Sequence, residues 1–132
     1  MKRLFILLAL LTSSLFTFAQ TNRNKVNLSD KELVNFLWGF AQAHPDGFTI
    51  GIDTFDQPRE GIVVSYAATQ NSFDKKSLPA VIKHAREHEG FVGGWYNPEN
   101  KKYYFDSNRI FPEDSLAAAV KFARENGQHT AY

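Results

Sequence analysis

The chain contains no cysteine. That absence excludes a disulfide framework, a zinc–thiolate site, a thiol nucleophile and a lipid-modified cysteine anchor. A surplus of either charge is also missing, since 15 Lys and Arg stand against 14 Asp and Glu. Such a balance gives no whole-chain reason to expect nucleic acid as a partner, nor an anionic membrane. The G-x-S-x-G, P-loop and G-x-G-x-x-G patterns are absent, and with them the sequence marks of nucleophile-elbow hydrolases, phosphate cradles and dinucleotide sites. The apolar run Leu4–Leu11 has eight residues, well short of the ~20 needed to cross a bilayer core.

What that run does fit is an export signal. Met1-Lys2-Arg3 is a short basic start, and Thr17-Phe18-Ala19 ends a small-residue stretch in the pattern that signal peptidase cleaves. Residues 1–19 are therefore expected to be a signal peptide. Removing 19 of 132 residues leaves 113 and takes away Lys2 and Arg3, so that 15 against 14 becomes 13 against 14. The expected location is periplasmic or extracellular, with no stable membrane anchor after cleavage. A chain of that length can bury one modest core.

Residues 20–28 are polar and unpatterned, and read as a flexible lead-in to a single domain over 29–132. Ser29-Asp30-Lys31-Glu32 matches a capping box, in which the Ser hydroxyl and the Glu carboxylate each satisfy a free N–H at a helix start. Leu33, Phe36, Leu37, Phe40 and Ala41 follow at helical spacing, and Pro45-Asp46-Gly47 stops the helix. Phe48 to Asp53 and Ile62 to Ala67 read as strands, most simply paired as a hairpin with a long loop. Ser77 is expected to cap a second helix with Pro79 in its first turn and Gly90 beyond its end. Phe91 to Asn97 and Lys102 to Asp106 flank Asn97-Pro98-Glu99-Asn100-Lys101, a hairpin signal. Pro112, Glu113 and Asp114 open a third helix, Gly127 ends it, and His129 to Tyr132 can add a last strand.

An internal repeat stands out. The segments Ser77–Glu87 and Ser115–Glu125 align over eleven residues with seven identities, at an offset of 38 residues from Ser77 to Ser115. Amphipathic helices share composition, which lowers the weight of such a match. The expected architecture is α+β, an antiparallel sheet with helices on one face. It comprises a duplicated ββα unit (about 47–89 and 90–127) preceded by an N-terminal helix. The opposite face of the sheet is then the natural working surface.

Three groups of residues are candidates for chemistry or binding. His84-Ala85-Arg86-Glu87-His88 spells H-x-x-E-H, in which two His four apart share a helix face and a Glu beside them can polarise a metal-bound water. The repeat aligns His84 with Phe122 and Glu87 with Glu125, so the plainer reading is a packed histidine beside surface charge. Six aromatics crowd the second hairpin: Phe91, Trp95, Tyr96, Tyr103, Tyr104 and Phe105. If Tyr96 pairs with Tyr103, then Val92, Tyr96, Tyr103 and Phe105 share one face, and Trp95 and Tyr104 share the other. Trp95 and Tyr104 then form a platform for a sugar, peptide or base, against the alternative of ordinary cross-strand packing. Thr69-Gln70-Asn71-Ser72 is a run of hydrogen-bonding side chains between a strand and a helix, either a ligand loop or a set of turn and cap residues. Asp53, Asp56, Glu60 and Asp106 are isolated carboxylates with no diagnostic pairing.

The block Val92-Gly93-Gly94-Trp95-Tyr96-Asn97 followed by Lys102-Tyr103-Tyr104-Phe105-Asp106-Ser107 resembles a stretch found in small uncharacterised proteins encoded by bacteroidete genomes, gut phages and mobile elements. Those carry a G-G-W-[YF]…Y-[YF]-F-D hairpin, then a helix and a final strand. The resemblance covers about the last half of the chain and implies no catalytic residues. The functional expectation is an exported, non-catalytic binding domain. Trp95, Tyr104 and the loop Thr69 to Ser72 would contact an unknown protein, peptide or glycan, and no cofactor is required. The alternatives are a small metal-dependent hydrolase using His84, Glu87 and His88, and an exported inhibitor or effector acting between bacteria.

Overall fold

The computed structural model describes residues 6–9 and 26–126. In chain order the elements are strand β1 (Ile6–Ala9), helix α1 (Asp30–Ala43), strands β2 (Phe48–Gly51), β3 (Gly61–Ser65) and β4 (Ser72–Phe73), helix α2 (Asp74–Arg86), strands β5 (Phe91–Asn97) and β6 (Lys102–Phe111), and helix α3 (Leu116–Glu125). The strands form one antiparallel sheet in the order β1-β3-β6-β5-β2, and the short β4 pairs with β6 beside β3.

The expected capping box is present. Ser29 Oγ accepts the Glu32 N–H at 3.1 Å, and Glu32 Oε1 accepts the Ser29 N–H at 2.9 Å. Each bond satisfies a donor that a helix start leaves without an intrahelical partner. The second hairpin also forms as expected, with Tyr96 opposite Tyr103. Its turn is held by asparagine side chains: Asn97 Oδ1 accepts the Glu99 N–H, and Asn100 Oδ1 accepts the Lys102 N–H.

One expected pairing is wrong. β2 and β3 do not form a hairpin with each other. β2 pairs with β5 and β3 pairs with β6, so the two flank the β5–β6 hairpin on opposite sides. The tight turn after Asn97 lets β5 and β6 meet locally, whereas the connection over residues 52–60 is long enough to cross to the other flank. The two proposed ββα units therefore do not fold alike, because only the second keeps its strands adjacent. The second helix also begins earlier than expected. It starts at Asp74, a turn before Ser77, which leaves Pro79 inside the helix and Ser77 Oγ donating to the Asp74 carbonyl at 2.9 Å. Asp74 itself has φ +61, and its Oδ1 accepts the Tyr103 N–H at 3.0 Å, tying the helix start to β6.

All three helices lie on one face of the sheet. Leu33, Leu37 and Ala41 of α1 and Leu78, Val81, Ile82 and Ala85 of α2 bury against Phe48, Ile50, Val92 and Phe105. Ala119 and Ala123 of α3 pack on Ile62, Val64 and Phe111. Side chains alternate across a strand, so this packing assigns Thr49, Val63, Ser65, Trp95, Tyr104, Asp106 and Asn108 to the opposite face.

The expected export segment, 1–19, is described only at Ile6–Ala9, which runs antiparallel along the outer edge of β3. The tail of the expected lead-in is held to the domain, where the Val26 N–H donates to the Asp53 carbonyl. The final strand expected at His129 to Tyr132 lies outside the described residues.

Candidate functional site

The face opposite the helices carries a cleft of about 280 Å³ among the described residues. Four strands build it. β2 contributes Thr49, β3 contributes Val63 and Ser65, and β6 contributes Asp106 and Asn108. β5 contributes Gly93 and Trp95, and Asp46 stands at the exposed rim. Thr49, Ser65 and Asn108 are buried, while Asp106 keeps partial access from the cleft.

The polar floor is a connected network. Ser65 Oγ donates to Asp106 Oδ2 at 2.7 Å, and Asn108 Nδ2 donates to Asp106 Oδ1 at 2.8 Å. Asn108 Nδ2 also reaches Ser65 Oγ at 3.3 Å, and the Thr49 hydroxyl donates to Asn108 Oδ1 at 3.4 Å. Gly93 makes room for it. A Cβ there would stand 2.3 Å from Asn108 Oδ1 and 2.8 Å from Asp106 Oδ1, closer than real side chains tolerate. Burial raises the Asp106 pKa above the ordinary carboxylate value, against the lowering effect of the Ser65 and Asn108 hydrogen bonds. Lys and Arg are absent among the described residues that line the cleft.

An aromatic row continues from the cleft wall. Trp95 packs on Tyr104 with ring centroids 5.0 Å apart, and Tyr104 meets Phe73 edge-on at 4.8 Å. Lys102 Nζ sits 4.6 Å from the Phe73 ring centroid, and Asn100 Nδ2 donates to the Tyr104 hydroxyl at 2.6 Å. Trp95 and Tyr104 thus share the open face, as the Tyr96–Tyr103 register requires. Trp95 lines the cleft, and Tyr104 supports it from the neighbouring strand.

Two of the loop candidates, Thr69 and Ser72, make bonds that hold the fold. The Thr69 hydroxyl accepts the Ser107 N–H at 2.9 Å and donates to the Tyr66 carbonyl at 3.2 Å. Ser72 Oγ donates to the Thr69 carbonyl at 2.7 Å. Asn71 takes a left-handed turn position at φ +61, and Gln70 is partly buried beside it. These bonds anchor the start of β4 to β6 and commit the hydroxyl protons of Thr69 and Ser72.

The H-x-x-E-H residues do not assemble a metal site. Among the described residues, no group of three His, Asp or Glu side chains comes together in a form able to hold a metal ion. Glu87 turns outward to Lys83, with Oε2 2.9 Å from Nζ. The His84 and His88 rings stack nearly parallel at 3.9 Å, and His88 Nδ1 bonds the His84 carbonyl at 2.7 Å. Tyr66 packs against both His rings at 4.8 Å and against Phe122 at 5.2 Å, and its hydroxyl donates to Glu89. Burial, and then the neighbouring His88, lower the His84 pKa. The aligned positions His84 and Phe122 thus both pack on one tyrosine, which explains the spacing without a metal.

Thr49, Ser65 and Asn108 escaped the sequence reading, and Asp106 entered it only as an isolated carboxylate. One signal was present. The register that pairs Tyr96 with Tyr103 also places Gly93 opposite Asp106, a side-chain gap beside a charge. The contributions of Thr49 and Ser65 depend on which strands flank the hairpin, and that is the pairing the sequence did not reveal.

Fold and site together define an α+β domain whose sheet is covered by helices on one face and carries a polar, aromatic-walled cleft on the other. Comparison with family models, with curated proteins and with solved structures finds no match for this chain.

Proposed function

We propose that this chain is an exported, non-catalytic binding domain that takes its ligand in the cleft on the sheet face opposite the helices. The observation that carries the reading is the cleft at Gly93, with a hydrogen-bonded Asp106 at its floor and Trp95 in its wall. A pocket with aromatic surface and a few convergent polar groups is the usual form of a small-ligand site. Buried polar networks are costly when incomplete, so one left open to a cleft favours a ligand that completes it. The site itself points away from catalysis: among the described residues, Asp106 has neither a second carboxylate nor a histidine among its hydrogen-bond partners.

A panel of capped peptides, glycans and small amines, screened by tryptophan emission and calorimetry, tests the reading. Binding is expected to weaken by about tenfold or more in Trp95→Ala, and to persist in the His84→Ala/His88→Ala pair. A ligand whose affinity ignores Trp95 and Asp106 but falls with the His pair would overturn it.

A further inference from the structure

We propose that the cleft at Gly93 is a cation-recognition pocket, taking an alkylammonium or guanidinium group between the Asp106 carboxylate and the Trp95 ring. This rests on the sheet face opposite the helices being the binding face, and goes further by naming the ligand chemistry.

Every donor of the floor network points toward Asp106 or along the chain that leads to it. The Ser65 hydroxyl and one Asn108 amide donor end on its two oxygens, and the Thr49 hydroxyl is turned to Asn108 Oδ1. A carboxylate offers about four lone-pair sites, and these bonds use two of them. What the floor still presents to the cleft is acceptor capacity, and the group that satisfies acceptors alone is a donor-only group. Ammonium and guanidinium have donors and no acceptor.

Charge points the same way. Asp106 at the floor and Asp46 at the rim are both acidic, and among the described lining residues no Lys, Arg or His offsets them. The nearest cation in sequence, Arg109, lies over the Phe111 and Phe122 rings at 4.8 Å, on the helix-covered side. A carboxylate withdrawn from water without a countercharge is unfavourable unless something pairs with it. An incoming cation supplies that pairing. Trp95 adds to the same preference, because the face of an indole attracts a cation, more so when water is displaced. The cleft volume of about 280 Å³ suits the head of one such side chain and excludes a folded segment. The hydrogen-bonded network holds the carboxylate in place before the ligand arrives, so little ordering cost falls on binding.

The group has two sources, a Lys or Arg side chain of a polypeptide or a small free amine, and the test separates them. Titration calorimetry of the wild-type protein uses n-butylammonium and methylguanidinium as free cations, and capped Gly-Lys-Gly and Gly-Arg-Gly as peptide cations. Butyramide and methyl glucoside are the neutral comparisons. The cations are expected to bind about tenfold or more tightly than butyramide, and to weaken as salt is raised. Asp106→Asn is expected to erase that preference, and Asp46→Asn to reduce it by a smaller factor. If Asp106→Asn fails to fold, the contrast between butylammonium and butyramide in the wild type, with its salt dependence, still decides. Equal affinity for cations and butyramide overturns the proposal. Binding of methyl glucoside alone, lost in Trp95→Ala, overturns it while leaving the binding face intact. No binding by any probe overturns both. Preference for the tripeptides over the free cations would assign the pocket to a polypeptide partner; the reverse would assign it to a small amine.

Discussion

Two clusters in this domain hold titratable side chains in partly buried settings, and they contrast sharply. His84, His88, Tyr66 and Glu89 meet on the helix side, while Asp106, Asn108, Ser65 and Thr49 meet on the open side. The first contains the recognisable motif, yet its members do not converge: His84 stacks on His88, Tyr66 packs on both, and Glu87 turns away to Lys83. The second carries no motif, yet its donors converge on one carboxylate that keeps access to a cleft. A motif states which residues are near in sequence. Whether they converge on one point in space depends on how the fold orients them.

The largest expected effect tests the covered side. Leu78 is fully buried between α2 and the sheet, so Leu78→Ala should lower unfolding free energy by about 2–5 kcal/mol, read by chemical denaturation. Trp95, only half-buried in the cleft wall, should cost less when truncated; an equal loss from Trp95→Ala would show that its ring is core and not cleft wall.

Next comes Gly93→Ala. The added Cβ has Asn108 Oδ1 at 2.3 Å and Asp106 Oδ1 at 2.8 Å, and both belong to a network with little room to move. A loss of about 1–3 kcal/mol is expected, together with loss of ligand binding. Unchanged stability and binding would mean that the floor network is looser than its hydrogen bonds imply.

Asp106→Asn separates stability from function. The folded-state pKa of Asp106 is raised by burial. The charged form is therefore disfavoured in the fold, and the cost applies above the folded pKa. It disappears as the pH falls below the unfolded value. The asparagine variant should be at least as stable as the wild type near pH 7. The difference should shrink toward about pH 4, as the wild-type carboxyl takes up its proton. Asp46 is the other carboxylate lining the cleft and sits exposed at its rim. A variant that instead loses most ground near pH 7 would show that the carboxylate is paired in the free protein.

The smallest expected effect belongs to the histidines. In the wild type, adding zinc should leave the Tm unchanged, because a bound ligand raises it by mass action and no third metal donor joins His84 and His88 among the described residues. Replacing both with Ala should cost about 1 kcal/mol from the lost ring contacts. A zinc-dependent rise in Tm that disappears in the double variant would restore the metal reading.

Much of this was legible in the sequence, for local reasons. The capping box at Ser29 and Glu32 involves residues three apart. The Asn97 turn brings Tyr96 opposite Tyr103, and that one register sorts Val92 and Phe105 from Trp95 and Tyr104. Helices on one face followed from their apolar stripes. What was hidden is non-local. The placement of β2 against β5 and of β3 against β6 joins segments about forty residues apart, and no local pattern selects it over the simple hairpin. The site inherits that limit. Thr49, Ser65 and Asn108 are unremarkable polar residues on separate strands, and they become a network only through the strand order.

On the proposed reading, ligand binds on the sheet face opposite the helices. Backbone and side-chain amide NMR, recorded as methylguanidinium is titrated into the protein, tests this directly. The account predicts perturbations concentrated at Gly93, the Trp95 indole, the Asn108 side-chain amide and Thr49, with His84, His88 and the outward face of α3 unmoved. Perturbations centred on His84 and His88, or none at all at Gly93 and Asn108, would contradict it.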